Sequence, residues 1–375
     1  MMPPDMVGSD LGAPTDMATP AGSAQPVYAG FPIPDFITSS GSGPTVSLLP
    51  MYVPSDVTAV TLRFANRGAY GNAASPITSN IAAYTEDGAG GGTGTAAAVY
   101  NAQTVPSDGS ELVLGSFPIT RGTTGKILVA FSLPGTFGSF AQGLYNYLGK
   151  YATGTSTVSP LPSASGNSTI PIFTIHVQYS TTHRRIVVFG DSIGVGSTNA
   201  SDPVTTGGFQ VAAWNLMARD HDIGVDIEGV NGGQLVRLAQ PSTYPYLWAD
   251  AQVSGSEVVI ELGTNDAQLT LTSMQSSLTT IVARLQTLGA TRIYANTLAP
   301  AQAYSGSDSY RVAYNTWLLA NYVSLGLHAV CDIDTLLRDP ANHSQLLASY
   351  SSDGTHYTAS AQLAVEHAWE PILGY

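Results

Sequence analysis

The sequence predicts two folded units in series. One is a β-sandwich, jelly-roll-like in its strand and turn spacing, over residues 41–182, and the other is a three-layer α/β/α unit around a parallel sheet over residues 183–375. Three observations predict this. In the first unit apolar and polar residues alternate between frequent Gly and Pro turns; in the second, short apolar runs alternate with segments of helical period; and the change between the two patterns is abrupt, at His183.

Residues 1–40 carry no periodicity, are rich in Pro, Ala, Gly and Asp, and are expected to form a flexible or surface arm. Beyond them, Val60, Leu62 and Phe64 alternate with Thr61 and Arg63, and Ile175, Val177 and Tyr179 alternate with His176 and Gln178. Each set puts one face of a strand into a core and the other outside. Turn chemistry at 88–95, 106–109 and 134–138 separates such strands, and no stretch keeps a helical period.

After His183, the apolar run Ile186–Phe189 reads as a buried strand, followed by a helix near 209–220, a strand at Val225–Ile227 and another at Val258–Ile260. Met274, Leu278, Ile281, Val282, Leu285 and Leu288 form one helix face, and Gly289 stands where a helix-ending glycine belongs. A strand at Arg292–Ala295, a helix from Ser309 to Leu325, a strand at His328–Ile333 and a last helix from about Thr358 to Trp369 complete the series. Strands alternating with helices imply right-handed crossovers and a parallel sheet whose ligands bind at the carboxyl ends of the strands.

Composition narrows the function. With 13 basic residues against 26 acidic ones, the net charge of -13 repels nucleic acid and anionic lipid, and no apolar run of about 18 residues is long enough for membrane insertion. Cys331 is the only cysteine, which excludes an intramolecular disulfide; it is expected to be a packed core thiol. His176 and His183 are expected to be structural or exposed, and His221, His328, His343 and His367 show no metal-ligand spacing, so neither a metal nor a cofactor is implied. The first residues lack a signal peptide's basic start and apolar run, yet their composition resembles that following signal removal, so an exported protein is expected. Oligomeric state is not legible.

Gly190-Asp191-Ser192-Ile193-Gly194 follows the first buried strand directly, which carries Ser192 to the carboxyl edge of the sheet. By itself the string fits a plain connection, a phosphate-binding turn or the Gly-x-Ser-x-Gly nucleophile elbow. Asp353-Gly354-Thr355-His356, just before the last helix, supplies what a reactive serine needs: a base to take its proton and a carboxylate to fix the base's tautomer. Taken alone it also reads as a helix-capping turn. Gly263-Thr264-Asn265-Asp266 and Gly229-Val230-Asn231-Gly232-Gly233 follow two further strands, where an amide side chain and a glycine N–H are suited to hold a developing oxyanion.

In order, spacing and context these four blocks resemble those of the SGNH (GDSL-type) hydrolase family, from about Arg184 onward. The resemblance implies a flavodoxin-like α/β/α catalytic unit and a serine esterase without cofactor. It implies Ser192 as nucleophile, His356 as base and Asp353 as its orienter, with an oxyanion hole formed by the N–H groups of Ser192 and Gly232 and the side chain of Asn265. Asp191 resembles a family residue that braces the loops. Gly233 departs from the pattern, since many members have Asp there, so the choice of Gly232 over Gly233 stays open. The first unit is similar to the β-rich domain that precedes some bacterial members. Expected substrates are short-chain carboxylic esters or acetylated carbohydrates, with Tyr244, Tyr246 and Trp248 as a wall of the acyl or sugar site or, equally, as core. The competing readings are an acyltransferase and a carbohydrate-binding or tail-fibre-like interaction protein with a vestigial hydrolase unit.

Overall fold

The computed structural model describes residues 26–30, 36–37, 45–68, 71–72, 75–88, 91–133, 140–141, 150–163, 174–196, 212–230, 232–244, 247–248, 251–266, 269–302 and 308–375. The N-terminal part contains two antiparallel sheets. One runs β1 (Pro26–Gly30), β13 (Thr174–Ser180), β4 (Ala59–Ala65), β9 (Glu111–Pro118); the other runs β12 (Lys150–Thr153), β3 (Thr45–Tyr52), β10 (Lys126–Leu133), β7 (Ile77–Thr85), β8 (Ala98–Val105). One core lies between them: Leu62, Phe64, Ile175, Val177 and Tyr179 from the first sheet meet Leu49, Ile81, Val129 and Phe131 from the second. Short pairs β2 (Phe36–Ile37) with β11 (Phe140–Ala141) and β5 (Arg67–Gly68) with β6 (Gly71–Asn72) flank these sheets in sequence.

Two of these strands correct the expected arm over 1–40. Pro26–Gly30 pairs antiparallel with β13, and Phe36–Ile37 pairs with β11. A strand of five residues held by a partner some 150 positions away has no local periodicity to reveal it. The remaining arm residues lie outside the described ones.

The second part is a parallel sheet in the order β15 (Gly224–Gly229), β14 (Arg185–Gly190), β16 (Glu257–Glu261), β17 (Arg292–Asn296), β18 (Ala329–Cys331). Successive residues of β14 face opposite layers. Val187 and Phe189 join a core with α2 (Leu235–Leu238), α3 (Leu271–Thr287) and α4 (Asp308–Leu325), while Ile186 and Val188 join a core with α1 (Ala213–His221) and α6 (Ala359–Leu373). Trp214 of α1 meets Trp369 of α6 with ring centroids 5.3 Å apart. Helix α3 starts where the Thr270 side chain accepts the Ser273 N–H and ends at Gly289, whose φ of +86° only glycine adopts cheaply. The expected strand to Ile333 stops sooner, because Asp332 caps the short α5 (Ile333–Leu337) by accepting the Thr335 N–H; a hairpin of β19 (Arg338–Asp339) and β20 (Asn342–Leu346) follows. Cys331 is buried, and burial pushes its thiol up to about 12, so it behaves as core. Among the described residues no helix is long and apolar enough to cross a membrane.

The two parts are joined by residues 181–184, and side chains pin that connection. Asp56 accepts the Thr181 hydroxyl at 2.7 Å and the Thr182 N–H at 3.0 Å. Asp222, just after α1, accepts the Ser55 N–H at 2.7 Å and Arg121 Nη1 at 2.6 Å, with His183 Nε2 at 3.2 Å. Strand β1 lies against β15, which brings that antiparallel sheet beside the edge of the parallel one.

Candidate active site

Strand order fixes where chemistry can occur. The winding direction reverses beside β14, whose neighbours β15 and β16 run on opposite sides of it, and such a reversal opens a crevice at the carboxyl ends of the strands. Ser192 stands two residues beyond the end of β14, at that crevice. Its turn is closed by the backbone: the Val195 N–H donates to the Asp191 carbonyl at 3.1 Å and the Gly196 N–H to Ile193 at 2.9 Å. The turn is tight enough that a Cβ on Gly194 would come within 3.0 Å of Gly190 Cα, which accounts for the paired glycines around the serine.

Folding brings Ser192 to the Asp353–His356 loop across 164 positions of sequence. Ser192 Oγ lies 3.1 Å from His356 Nε2, and His356 Nδ1 lies 2.7 Å from Asp353 Oδ2. The other carboxylate oxygen of Asp353 accepts the N–H groups of Thr355 at 2.9 Å and His356 at 2.8 Å. Burial alone would raise the Asp353 pKa, but the imidazole and those two N–H donors outweigh it and hold the carboxyl down to about 2. The charge that orients His356 is therefore present throughout the neutral range.

Under the serine lies a cluster of buried acids. Asp191 accepts the Ile193 N–H at 2.9 Å through one oxygen and the Asn265 amide at 3.1 Å through the other. Burial is the first cause that lifts the Asp191 carboxyl to about 7, and burial also lifts Glu261 to about 7 and Asp266 to about 6. The upward shift of all three limits negative charge beneath the serine turn. Asp266 also accepts the N–H groups of Leu235 and Val236, at 2.7 and 3.1 Å, and so fixes the loop after Gly232 and Gly233.

The two glycines are now distinguishable. The Gly233 N–H is committed to the Val230 carbonyl at 2.9 Å, whereas Gly232, at φ +70°, has nothing among the described residues within 4 Å of where a Cβ would stand. The Asn265 amide nitrogen donates to Asp191 Oδ2 and to the Gly233 carbonyl, both at 3.1 Å, so either bond must be shared with an arriving oxyanion.

Of the two roles left open for the aromatics, wall or core, Tyr244 and Trp248 take the core one. Tyr244 is fully buried, and Trp248 is 7% exposed with its ring 4.9 Å from Phe189 and its indole N–H donated to the Leu238 carbonyl, so both belong to the core below the sheet. Nothing in a Pro-containing connection shows which way its aromatics turn. Tyr246 lies outside the described residues. Conversely, Gln362 of α6 was not singled out by sequence: buried, it accepts the Ala213 N–H at 2.9 Å and donates to the Ile193 carbonyl at 3.2 Å, tying the serine turn to α1. A polar residue at a core-facing position of the last helix was the available signal.

No family model matches the chain, and no curated protein matches its sequence. Solved structures similar to it include an acetyl-xylooligosaccharide esterase variant from Geobacillus Stearmophilus, at 14% identity and TM-score 0.39 over 51% of this chain and 94% of that one. A GDSL-like lipase from Bacteroides thetaiotaomicron is similar at 16% identity and TM-score 0.36, over 51% of this chain and 87% of that one. An active-site mutant of a family two carbohydrate esterase from Clostridium thermocellum is similar at 14% identity and TM-score 0.39, over 94% of this chain and 100% of that one.

Proposed function

We propose that this chain is a serine ester hydrolase of the SGNH type, acting through an acyl-enzyme on Ser192, with residues 41–182 as a β-sandwich domain beside the catalytic one. What carries the reading is the relay Ser192 Oγ, His356 Nε2, His356 Nδ1, Asp353 Oδ2, with steps of 3.1 and 2.7 Å, at the crevice of a parallel sheet. His356 takes the Ser192 proton as Oγ attacks the ester carbonyl. The oxyanion is held by the N–H groups of Ser192 and Gly232 and by Asn265, and the imidazolium then protonates the leaving alcohol. Water enters by the same steps in reverse.

Removing one preorganised oxyanion donor costs about 10²- to 10³-fold in turnover. Asn265→Ala is therefore expected to lower kcat by that factor with KM nearly unchanged, as steady-state kinetics on p-nitrophenyl acetate will read. A change confined to KM would make Asn265 a ground-state contact.

A small substrate fits the exposure of the described residues: the Asp353 side chain is 39% exposed, and among the described residues nothing stands within 4 Å of where a Cβ on Gly232 would be, so an acyl chain is expected to meet water soon after the reacting carbon. Extra methylenes then gain little of the roughly 0.8 kcal/mol each that full burial offers. In a series of p-nitrophenyl esters, acetyl and butyryl esters are expected to have the highest kcat/KM; a steady climb to the longest chains would overturn this reading. Release of acetate from acetylated xylan would extend the proposal to polysaccharide deacetylation.

A further inference from the structure

Spacing along the sequence pairs no histidine with other metal ligands, yet folding gathers one group of mixed donors at the seam between the two parts. His176 projects from the outer face of β13, opposite the core-facing Ile175 and Val177. Asp226 and Glu228, two residues apart, lie on one face of edge strand β15, while Val225 and Ile227 face the core on the other. All three are almost wholly buried, at 3%, 3% and 1% exposure, and their ligand atoms lie within 4.8 Å of one another. His176 Nε2 is 3.7 Å from Glu228, and Nδ1, on the other side of the ring, is 3.8 Å from Glu111 Oε1. Glu111 is itself held by Arg63 at 2.7 Å. Arg63 in turn donates to Gln178 at 2.9 Å.

We propose that His176, Asp226 and Glu228 hold a divalent cation, Zn²⁺ by donor set, that fastens the N-terminal sheets to edge strand β15. A dication with two carboxylates and a neutral imidazole makes the group electrically neutral, which a dry seam favours. One nitrogen and two carboxylate oxygens suit Zn²⁺ better than Ca²⁺ or Mg²⁺, which take oxygen donors. Zinc bonds of about 2.0–2.2 Å bring ligand atoms to about 3.4 Å apart, a closure of roughly 1 Å that side-chain torsions absorb. Glu111, 3.8 Å from Nδ1, stands on the side where an outer carboxylate orients a metal-bound histidine, which leaves Nε2 as the ligand. The other gathering of such donors among the described residues, His221, Glu366 and Glu370, is already closed as an ion pair at 2.9 Å, with His221 stacked on Tyr375. The site shares no residue with the serine relay, and its test needs no activity.

The experiment uses the untagged full chain, purified from zinc-supplemented cells and passed into metal-free buffer. Elemental analysis is expected to find about one zinc per chain. EDTA should lower Tm on the order of 10 °C, and added ZnCl₂ should restore it where CaCl₂ does not. His176→Gln and Glu228→Gln should each lose the zinc and the response to EDTA, while His221→Ala keeps both. Wild type that carries below about a tenth of an equivalent, and whose Tm neither EDTA nor ZnCl₂ moves, would show that protons alone close the cluster and would overturn the proposal. Zinc retained in His176→Gln, or lost in His221→Ala, would place the metal elsewhere and overturn it equally. Should either glutamine variant fail to fold, the wild-type measurements and His221→Ala still decide.

Discussion

Replacing Ser192 with alanine is expected to abolish ester turnover, by on the order of 10⁴- to 10⁶-fold in kcat, while leaving the fold intact. The magnitude follows from the role: without Oγ there is no acyl-enzyme, and His356 has no proton to take. The fold persists because the turn around Ser192 is held by backbone bonds from Val195 and Gly196 and by the Asp191 side chain, none of which uses the hydroxyl. The one lost contact, to His356, is worth about 1 kcal/mol, or roughly 2–4 °C in Tm. Parallel assays with p-nitrophenyl acetate and differential scanning calorimetry check both halves, and a phosphonate probe should label wild type at Ser192 and leave the variant unlabelled. Alanine-variant turnover near that of wild type would remove Ser192 from the mechanism.

Asp353→Asn is expected to lower kcat by on the order of 10⁴-fold, through the tautomer of His356. Asp353 Oδ1 is already bound by the N–H groups of Thr355 and His356, so an asparagine keeps its carbonyl oxygen there and turns its amide nitrogen towards Nδ1. That nitrogen only donates. The imidazole must then carry its proton on Nε2, facing Ser192, where it cannot accept another. Because the carboxyl is held down to about 2, from a reference of 3.8, the wild-type residue is ionised at every ordinary assay pH. The sign of the stability effect follows: Asp353 stabilises the fold above about pH 4, and that contribution is lost as pH falls towards 2. Its partial exposure keeps the contribution small. Kinetics at neutral pH together with acid melts of both proteins test the pair of claims, and a variant within tenfold of wild type would sink the tautomer argument.

Much of the C-terminal part was legible because its determinants are local. Ile186–Phe189 is apolar on both faces, as a central parallel strand must be, and Asp353 and His356 are three residues apart, so one loop presents both. What stayed hidden depends on which surfaces meet. Alternation in β13 places His176 outside its core, but only the docking of β1 on β15 turns that outside face into an interior one beside Asp226 and Glu228. The choice between wall and core for Tyr244 and Trp248 stayed open for the same reason: the chain after Gly233 folds under the sheet, towards Phe189, and no local pattern reports the direction. Gln362 is legible only once α6 is known to lie against α1 and the serine turn.

Asp222 and Asp56, which clasp the connection at 181–184, have a consequence for anyone treating the two halves as interchangeable modules. The splice point that looks natural in the sequence runs through the clasp, since Asp222 belongs to the C-terminal half while its donors Ser55 and Arg121 belong to the other. A chimera joined there strands a carboxylate built to be held, and it uncovers the edge of β15. Shuffling this chain therefore calls for a graft that brings along residues equivalent to Ser55, Asp56 and Arg121, or for leaving the junction whole and diversifying loops at the crevice instead.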